Sequence, residues 1–135
     1  MKSKIVTTAT ILGMIAIILG AFGAHALKKF LSIEQLATFE TGVRYQMYHA
    51  LFLLFISLFD VLTDSIKKII YYLVVSGVIL FSGSIYLLAT NDLTAFDFKR
   101  IGFVTPIGGL LLIMAWGVLL MTLLNKNHKI RRIKD

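Results

Sequence analysis

The stretch Gly20–Leu51, GAFGAHALKKFLSIEQLATFETGVRYQMYHAL, joins the end of one apolar run to the start of another through a polar connection. Upstream of Lys28, the run from Ile5 to Ala24 has twenty residues and no charged side chain. At about 1.5 Å per residue, such a run crosses a hydrocarbon core of about 30 Å. The sequence therefore predicts a transmembrane helix over about residues 5–26. Because this run is longer than the roughly 7–15 residues of a signal-peptide core, we expect an uncleaved helix.

A second helix begins inside the same stretch. Ser32 and Gln35 have the spacing of a capping box, with Ser32 as the N-cap. The helix is therefore predicted to start near residue 33 at the membrane interface. It then continues into an apolar segment that spans the bilayer over about residues 45–62.

Two further apolar runs complete the pattern. They predict spans over about residues 69–90 and 106–124, and Thr105 with Pro106 fits an N-cap followed by proline at the first helical position. A basic tail, residues 125–135, follows. The predicted fold class is all-α: a single membrane domain, residues 1–135, folded as a four-span transmembrane helical bundle.

Composition supports the membrane assignment. The chain is 58% hydrophobic, has a mean hydropathy of +0.85 and carries only 16% charged residues, against roughly 25% in soluble domains. The net charge of +7 comes from residues that flank the apolar runs, so anionic lipid headgroups are the expected partner and nucleic acid is not. With no cysteine, the chain has no disulfide, thiolate metal site or cysteine nucleophile.

The basic residues also predict the orientation. In a four-span protein both termini lie on the same side as the second connection. That side has nine Lys and Arg residues, and the opposite side has five. Since Lys and Arg accumulate on the cytoplasmic side, both termini are predicted to be cytoplasmic, in a multi-pass protein of the cell membrane.

Polar side chains around the first connection form the one candidate cluster. Its members are His25, Glu40, Arg44, Tyr45, Tyr48 and His49. Ionisable residues in or near a span are functional candidates, but His and Tyr near an interface also bond between helices simply to fix their packing. Both interpretations stay open, as does a simple helical pair between Glu40 and Arg44.

Two specific kinds of site at this cluster, a haem site and a divalent metal site, have less support in the sequence. If helix two enters the membrane near Tyr45, His25 and His49 lie at similar depth and provide the minimum for two axial haem ligands. A divalent metal is not favoured, because Glu40 lies roughly opposite His49 around the helix. We therefore predict no cofactor, no metal site and no catalytic residue.

The rotation of helix two follows from its two faces. Thr38, Gly42, Tyr45 and His49 share one face, while another face is apolar. Because an unpartnered polar group in hydrocarbon costs several kcal/mol, we expect the polar face to pack on span one near Gly20. The apolar stripe would then face lipid or the membrane surface; it comprises Leu36, Phe39, Val43 and Met47.

Four sequence blocks resemble the domain of unknown function 423 family, also called the transmembrane protein 256-like family. They are Gly20–Leu27 (GAFGAHAL), Phe39–Leu51 (FETGVRYQMYHAL), Phe81–Ala89 (FSGSIYLLA) and Thr105–Leu110 (TPIGGL). The resemblance covers nearly the whole chain. It implies a small integral membrane protein with four spans, in the plasma membrane of a bacterium, and it implies no reaction.

Two function classes remain. The first is a non-enzymatic scaffold or assembly component of the membrane, with a membrane-protein partner or a second copy of the chain. The second is a small-solute or ion permeation protein that acts as an oligomer. The sequence has no acidic residue deep in a span, which argues against proton-coupled export, and no recognisable nucleophile–base pair, so we do not expect an enzyme.

Overall fold

The computed structural model describes the backbone of residues 1–134 and the side chains of residues 1–125. Over the described backbone the chain forms four long α-helices and three short 3-10 turns, without a strand. The predicted all-α fold class is confirmed. The helices are α1 (Lys2–His25), α2 (Ile33–Leu58), α3 (Asp64–Ala89) and α4 (Val104–Lys134), and the 3-10 turns are Leu27–Lys29, Asn91–Leu93 and Phe98–Ile101. Nearly all side chains of the predicted basic tail, 125–135, lie outside the described residues.

Three of the described stretches are long and apolar enough to cross a membrane. They are Lys2–Lys29, Asp64–Ala89 and Phe98–Asn125. Helix α2 has 26 residues and is therefore about 39 Å long, which suffices in length. Its first half, however, carries charged residues such as Glu40 and Arg44, which lower its hydropathy. Three of the four predicted spans are thus long and apolar enough to cross a membrane, and a membrane crossing by α2 stays a prediction.

The ends of α2 and α3 do not coincide with the ends of the apolar runs that predicted the spans. Helix α2 ends at Leu58, four residues before the predicted end of span two. Helix α3 begins at Asp64, because the Thr63 side chain accepts a hydrogen bond from the amide of Ile66 at 3.4 Å. Charged residues at the membrane surface remain helical when a cap satisfies the free amides, so the helix extends beyond its apolar part.

The two predicted caps have different outcomes. The capping box is confirmed: the Ser32 side chain accepts from the Gln35 amide, and the Gln35 side chain accepts from the Ser32 amide at 2.9 Å. The predicted N-cap at Thr105 is wrong, because α4 already begins at Val104 and the Thr105 hydroxyl bonds to that of Ser84 at 2.7 Å. Pro106 still lies in the first turn, where no amide hydrogen is needed.

Helices α1 and α2 form an antiparallel hairpin packed on glycines. A Cβ added to Gly23 would lie 3.1 Å from the Phe39 ring, and one added to Gly20 would lie 3.4 Å from Val43. The apolar stripe of α2 therefore packs on α1, and the prediction that it faces lipid is wrong. In a bilayer, lipid tails and protein interior are equally apolar, so close packing on small residues decides which face is inside.

Helices α3 and α4 approach each other even more closely. A Cβ on Gly108 would overlap backbone atoms of Leu80 and Phe81, and one on Gly77 would lie 2.5 Å from Leu112. Gly108 is the position in this pair where only glycine leaves room for the facing backbone. Small residues at helix contacts are how membrane helices come close enough for dispersion to hold them.

All four helices meet in one apolar core. Ile5, Leu53, Ile56, Ile70 and Val74 are each 0% exposed, and residues of α4 such as Leu112 complete the cluster. This core fills the end of the bundle near the N-terminus of α1. It leaves the polar side chains of α2 to meet α3 and α4 at mid-height.

Candidate functional site

His49 lies near the middle of the bundle, not near its end. Its neighbour Ala50 faces Gly13, where an added Cβ would lie 3.9 Å from that of Ala50. Gly13 is close to the centre of the apolar run Ile5–Ala24. The stretch Lys2–Lys29 is long and apolar enough to cross a membrane, and in such a crossing His49 lies near the midplane, where an ionisable side chain is a functional candidate by default.

The depth of His49 contradicts the prediction that His25 and His49 lie level with each other. Phe39 is level with Gly23, and His49 follows Phe39 by ten residues, or about 15 Å along the helix. His25 ends α1 and is exposed. The connection between the helices is so short that α2 runs beside α1 almost from its start. Haem ligation by both histidines of one copy has no geometric basis.

His49 is 6% exposed and packs inside the protein, but it faces α3 and α4 rather than the glycines of α1. Its Nδ1 lies 2.8 Å from the carbonyl oxygen of Tyr45. A carbonyl oxygen only accepts, so Nδ1 carries the proton and donates. Nε2 is buried and has no hydrogen-bond partner in the described part of the chain.

A cavity of about 290 Å³ adjoins His49. Its remaining walls are aromatic and aliphatic: Tyr45, Phe81, Gly109, Leu112, Ile113 and Trp116. Trp116 is 51% exposed and Ile113 is 68% exposed, so the cavity opens sideways on the bundle surface. The Phe81 ring lies 4.9 Å from the ring of Tyr45, centroid to centroid. The arrangement is an aromatic recess with one buried nitrogen.

Gln46 holds three helices together in the same layer. Its side-chain amide donates to the carbonyl of Leu12 on α1 at 2.8 Å, and its oxygen accepts from the Tyr86 hydroxyl on α3 at 2.8 Å. Gln46 is 4% exposed. Sequence reasoning did not select Gln46 or Tyr86. The signal was a glutamine inside a predicted span, since an amide in hydrocarbon needs partners from other helices.

The other predicted cluster residues lie elsewhere. Glu40 and Arg44 border a shallow recess beside Gly20, on the α1 side of α2. The Arg44 Nε donates to the carbonyl of Glu40 at 3.4 Å, and no ion pair joins their charged groups in the structure. Tyr48 is 56% exposed and contacts the Tyr45 ring. The six predicted residues thus divide among the α1 end, two sides of α2 and the bundle surface.

Among the described residues, no three His, Asp or Glu side chains lie close enough together to hold a metal ion. What the site can do follows from its geometry instead. It can receive a largely apolar molecule from the side of the bundle and accept one hydrogen bond from it at His49 Nε2.

Comparisons with known proteins give relatives but no activity. The family described as "Protein of unknown function (DUF423)" matches residues 19–109. A UPF0382 membrane protein of Staphylococcus saprophyticus is 40% identical, over 80% of this chain and 86% of its own length. The inner membrane protein YgdD of Escherichia coli K12 is 33% identical, over 90% of this chain and 89% of its own. No solved structure matches.

Proposed function

The chain belongs to the family of unknown function DUF423, and from that premise we propose that it is a four-span scaffold or assembly component of the bacterial cell membrane, without enzymatic activity. Its bacterial relatives are named as membrane proteins, and three of its own helices are long and apolar enough to span. The fourth helix, α2, is long enough to span. Its polar residues Gln46 and His49 are buried in the bundle, and Glu40 and Arg44 are exposed on the outside of the bundle.

One observation carries the proposal: a single copy has a filled interior. The core residues Leu53, Ile56 and Ile70 are each 0% exposed, at the end of the bundle opposite His25. At mid-height, the Gln46 side chain bonds to the backbone of α1 and to the Tyr86 hydroxyl of α3. Such bonds hold helices together instead of lining a passage. The surfaces left for interaction are therefore the sides of the bundle.

The outer helices supply those sides. Helix α1 exposes Met14, Ile17 and Ile18 by 57–64%, and α4 exposes Leu120 and Met121 by 57–65%. Surfaces of this kind accept lipid, a partner helix or a second copy of the chain. The bundle therefore has two apolar faces on which neighbouring membrane proteins can pack.

The proposed topology has both termini in the cytoplasm. Single cysteines in place of Ser3, Ser65 and Ala95 test it, because the chain has none of its own and all three positions are exposed. A membrane-impermeant thiol reagent added outside intact cells should label only the Ala95→Cys variant. Labelling of Ser65→Cys from outside would reject the four-span arrangement.

Photo-cross-linking in cells tests the scaffold role. A photoreactive amino acid at Ile17 or Leu120 should yield one protein adduct of fixed mass, which mass spectrometry identifies as a partner or a second copy. The matched control is Val74, which is 0% exposed and should yield only internal links. Adducts to lipid alone at every outward position would remove the basis for the proposal.

The competing function is permeation by an oligomer. Purified protein in liposomes, assayed for ion and small-solute flux, should give no flux above that of protein-free vesicles. Selective flux that rises with protein-to-lipid ratio would overturn the scaffold and establish permeation.

A further inference from the structure

Two buried side-chain polar atoms lack a hydrogen-bond partner in the part of the chain that the structure describes: His49 Nε2 and Ser82 Oγ. Buried polar groups in native proteins are usually paired, so each unpaired one needs an explanation. Of the two residues, only His49 lines the 290 Å³ cavity. His49 thus combines an unsatisfied ring nitrogen with a place on the cavity wall, and a small rotation of its ring would bring Nε2 within reach of an occupant.

The chemistry of the missing bond is defined by the other ring nitrogen. Because Nδ1 donates to the Tyr45 carbonyl, the uncharged ring presents Nε2 as an acceptor. An occupant must then offer a hydrogen-bond donor. A hydroxyl group meets this need, and a ketone, ether or hydrocarbon does not.

The walls define the rest of the occupant. Tyr45, Phe81 and Trp116 present aromatic rings, which favour another flat ring through offset or edge contacts. A cavity of roughly 150 Å³ holds one benzene. The cavity beside His49 is about twice that size, which is enough for one substituted ring.

The location defines how the occupant arrives. The cavity lies near the membrane midplane and opens between exposed Ile113 and Trp116 on the side of the bundle. A molecule that reaches it must dissolve in the hydrocarbon core. We propose that this cavity binds a lipid-soluble phenol or hydroquinone, whose hydroxyl donates to His49 Nε2. The proposal concerns binding alone and is independent of the scaffold role.

Binding is measurable through Trp116, the one tryptophan of the chain. Purified protein in detergent micelles is titrated with a brominated alkylphenol, because bromine quenches tryptophan fluorescence on contact. The comparison ligands are its methyl ether, which lacks the donor, and the matching brominated alkylbenzene, which lacks the oxygen. We expect saturable quenching by the phenol, with affinity about fivefold above either comparison ligand, the effect of one hydrogen bond.

Variants locate the site. His49→Phe keeps a ring but removes the acceptor, so the phenol should lose its advantage of about fivefold over the ether. Gly109→Leu fills the cavity, since a Cβ there meets only the Phe81 ring at 3.5 Å, and should abolish saturable quenching. The control is Gly117→Leu on the same helix, where an added Cβ meets nothing within 4 Å, and it should bind like the unmodified protein.

Each alternative result overturns the inference. Equal, saturable binding of phenol and ether to the unmodified protein would reject the hydrogen bond to His49, whatever the variants do. Quenching that rises linearly with ligand and is alike in Gly109→Leu and Gly117→Leu would show partition into the micelle only. Retention of the phenol's advantage over the ether in His49→Phe would show that the hydroxyl bonds to another group and not to His49.

Discussion

The hydrogen bond between Gln46 and Tyr86 gives the sharpest test of how the bundle is held together. The Tyr86 hydroxyl donates to the Gln46 side-chain oxygen at 2.8 Å, and the Gln46 amide donates to the Leu12 carbonyl at 2.8 Å. Tyr86→Phe removes one bond and leaves a buried oxygen unpaired. Gln46→Met keeps the volume and removes both bonds. The double variant completes a thermodynamic cycle.

The magnitude follows from these contacts. An interhelical hydrogen bond in a membrane protein contributes about 0.6 kcal/mol on average and up to about 1.7 kcal/mol. Because Gln46 is 4% exposed and its bond to Tyr86 is 2.8 Å long, we expect a coupling energy of about 1 kcal/mol between the two substitutions. Each single variant should lose about 1–2 kcal/mol of unfolding free energy, since a partner is left without its bond.

Reversible unfolding in mixed micelles with a denaturing detergent measures these energies. Helix content from circular dichroism and the fluorescence of Trp116, which stacks on Phe52 with centroids 4.1 Å apart, report the transition. The control is Asp92→Ala, which removes an exposed hydrogen bond to Gln35 and should cost less than about 0.5 kcal/mol. A Gln46–Tyr86 coupling energy no larger than the effect of Asp92→Ala would refute the reasoning that this hydrogen bond holds α2 to α3.

Three further substitutions test other contacts by the same unfolding measurement. Gly108→Leu must separate α3 from α4 and should lower the free energy of unfolding by about 3 kcal/mol or more. Gly117→Leu, where an added side chain meets open space, should change the free energy of unfolding little. Equal effects of the two substitutions would contradict the close approach of α3 and α4. Lys67→Met removes the ammonium that caps the end of α2 and should lower the free energy of unfolding by about 1–2 kcal/mol. The control is Lys68→Met at an exposed position, which should leave the free energy of unfolding unchanged. Ser82→Ala removes an unpaired buried hydroxyl and should be neutral or stabilising; a loss above about 1 kcal/mol would show a hidden partner.

The capping of α2 by Lys67 also explains why a basic residue next to a span is buried. Its Nζ donates to the carbonyl of Ser57 at 3.2 Å, and the side chain is 6% exposed. The last carbonyls of a helix have no intrahelical partner and carry partial negative charge. Lys67 thus has a structural role in addition to its contribution to the predicted positive-inside orientation.

The sequence alone was sufficient to predict that the chain forms four long helices. A charge-free run of twenty residues from Ile5 to Ala24 has few alternatives to a spanning helix, and the Ser32–Gln35 box marks where α2 begins. Both signals are local: they depend on the hydropathy of one segment or on the amides of one turn. The four sequence blocks likewise pointed to the family that the comparisons show.

The faces and depths of the helices were decided only by tertiary structure. Hydropathy cannot distinguish lipid from protein interior, so the stripe containing Phe39 and Val43 could not be assigned to either. Close packing of the stripe on Gly20 and Gly23 decided the question. The same register places His49 about 15 Å deeper than Gly23, and therefore still further from the level of His25. The sequence determined which segments are helical and which residues are candidates for polar contacts. Which of them meet depends on side-chain packing between distant segments, and no local pattern encodes it.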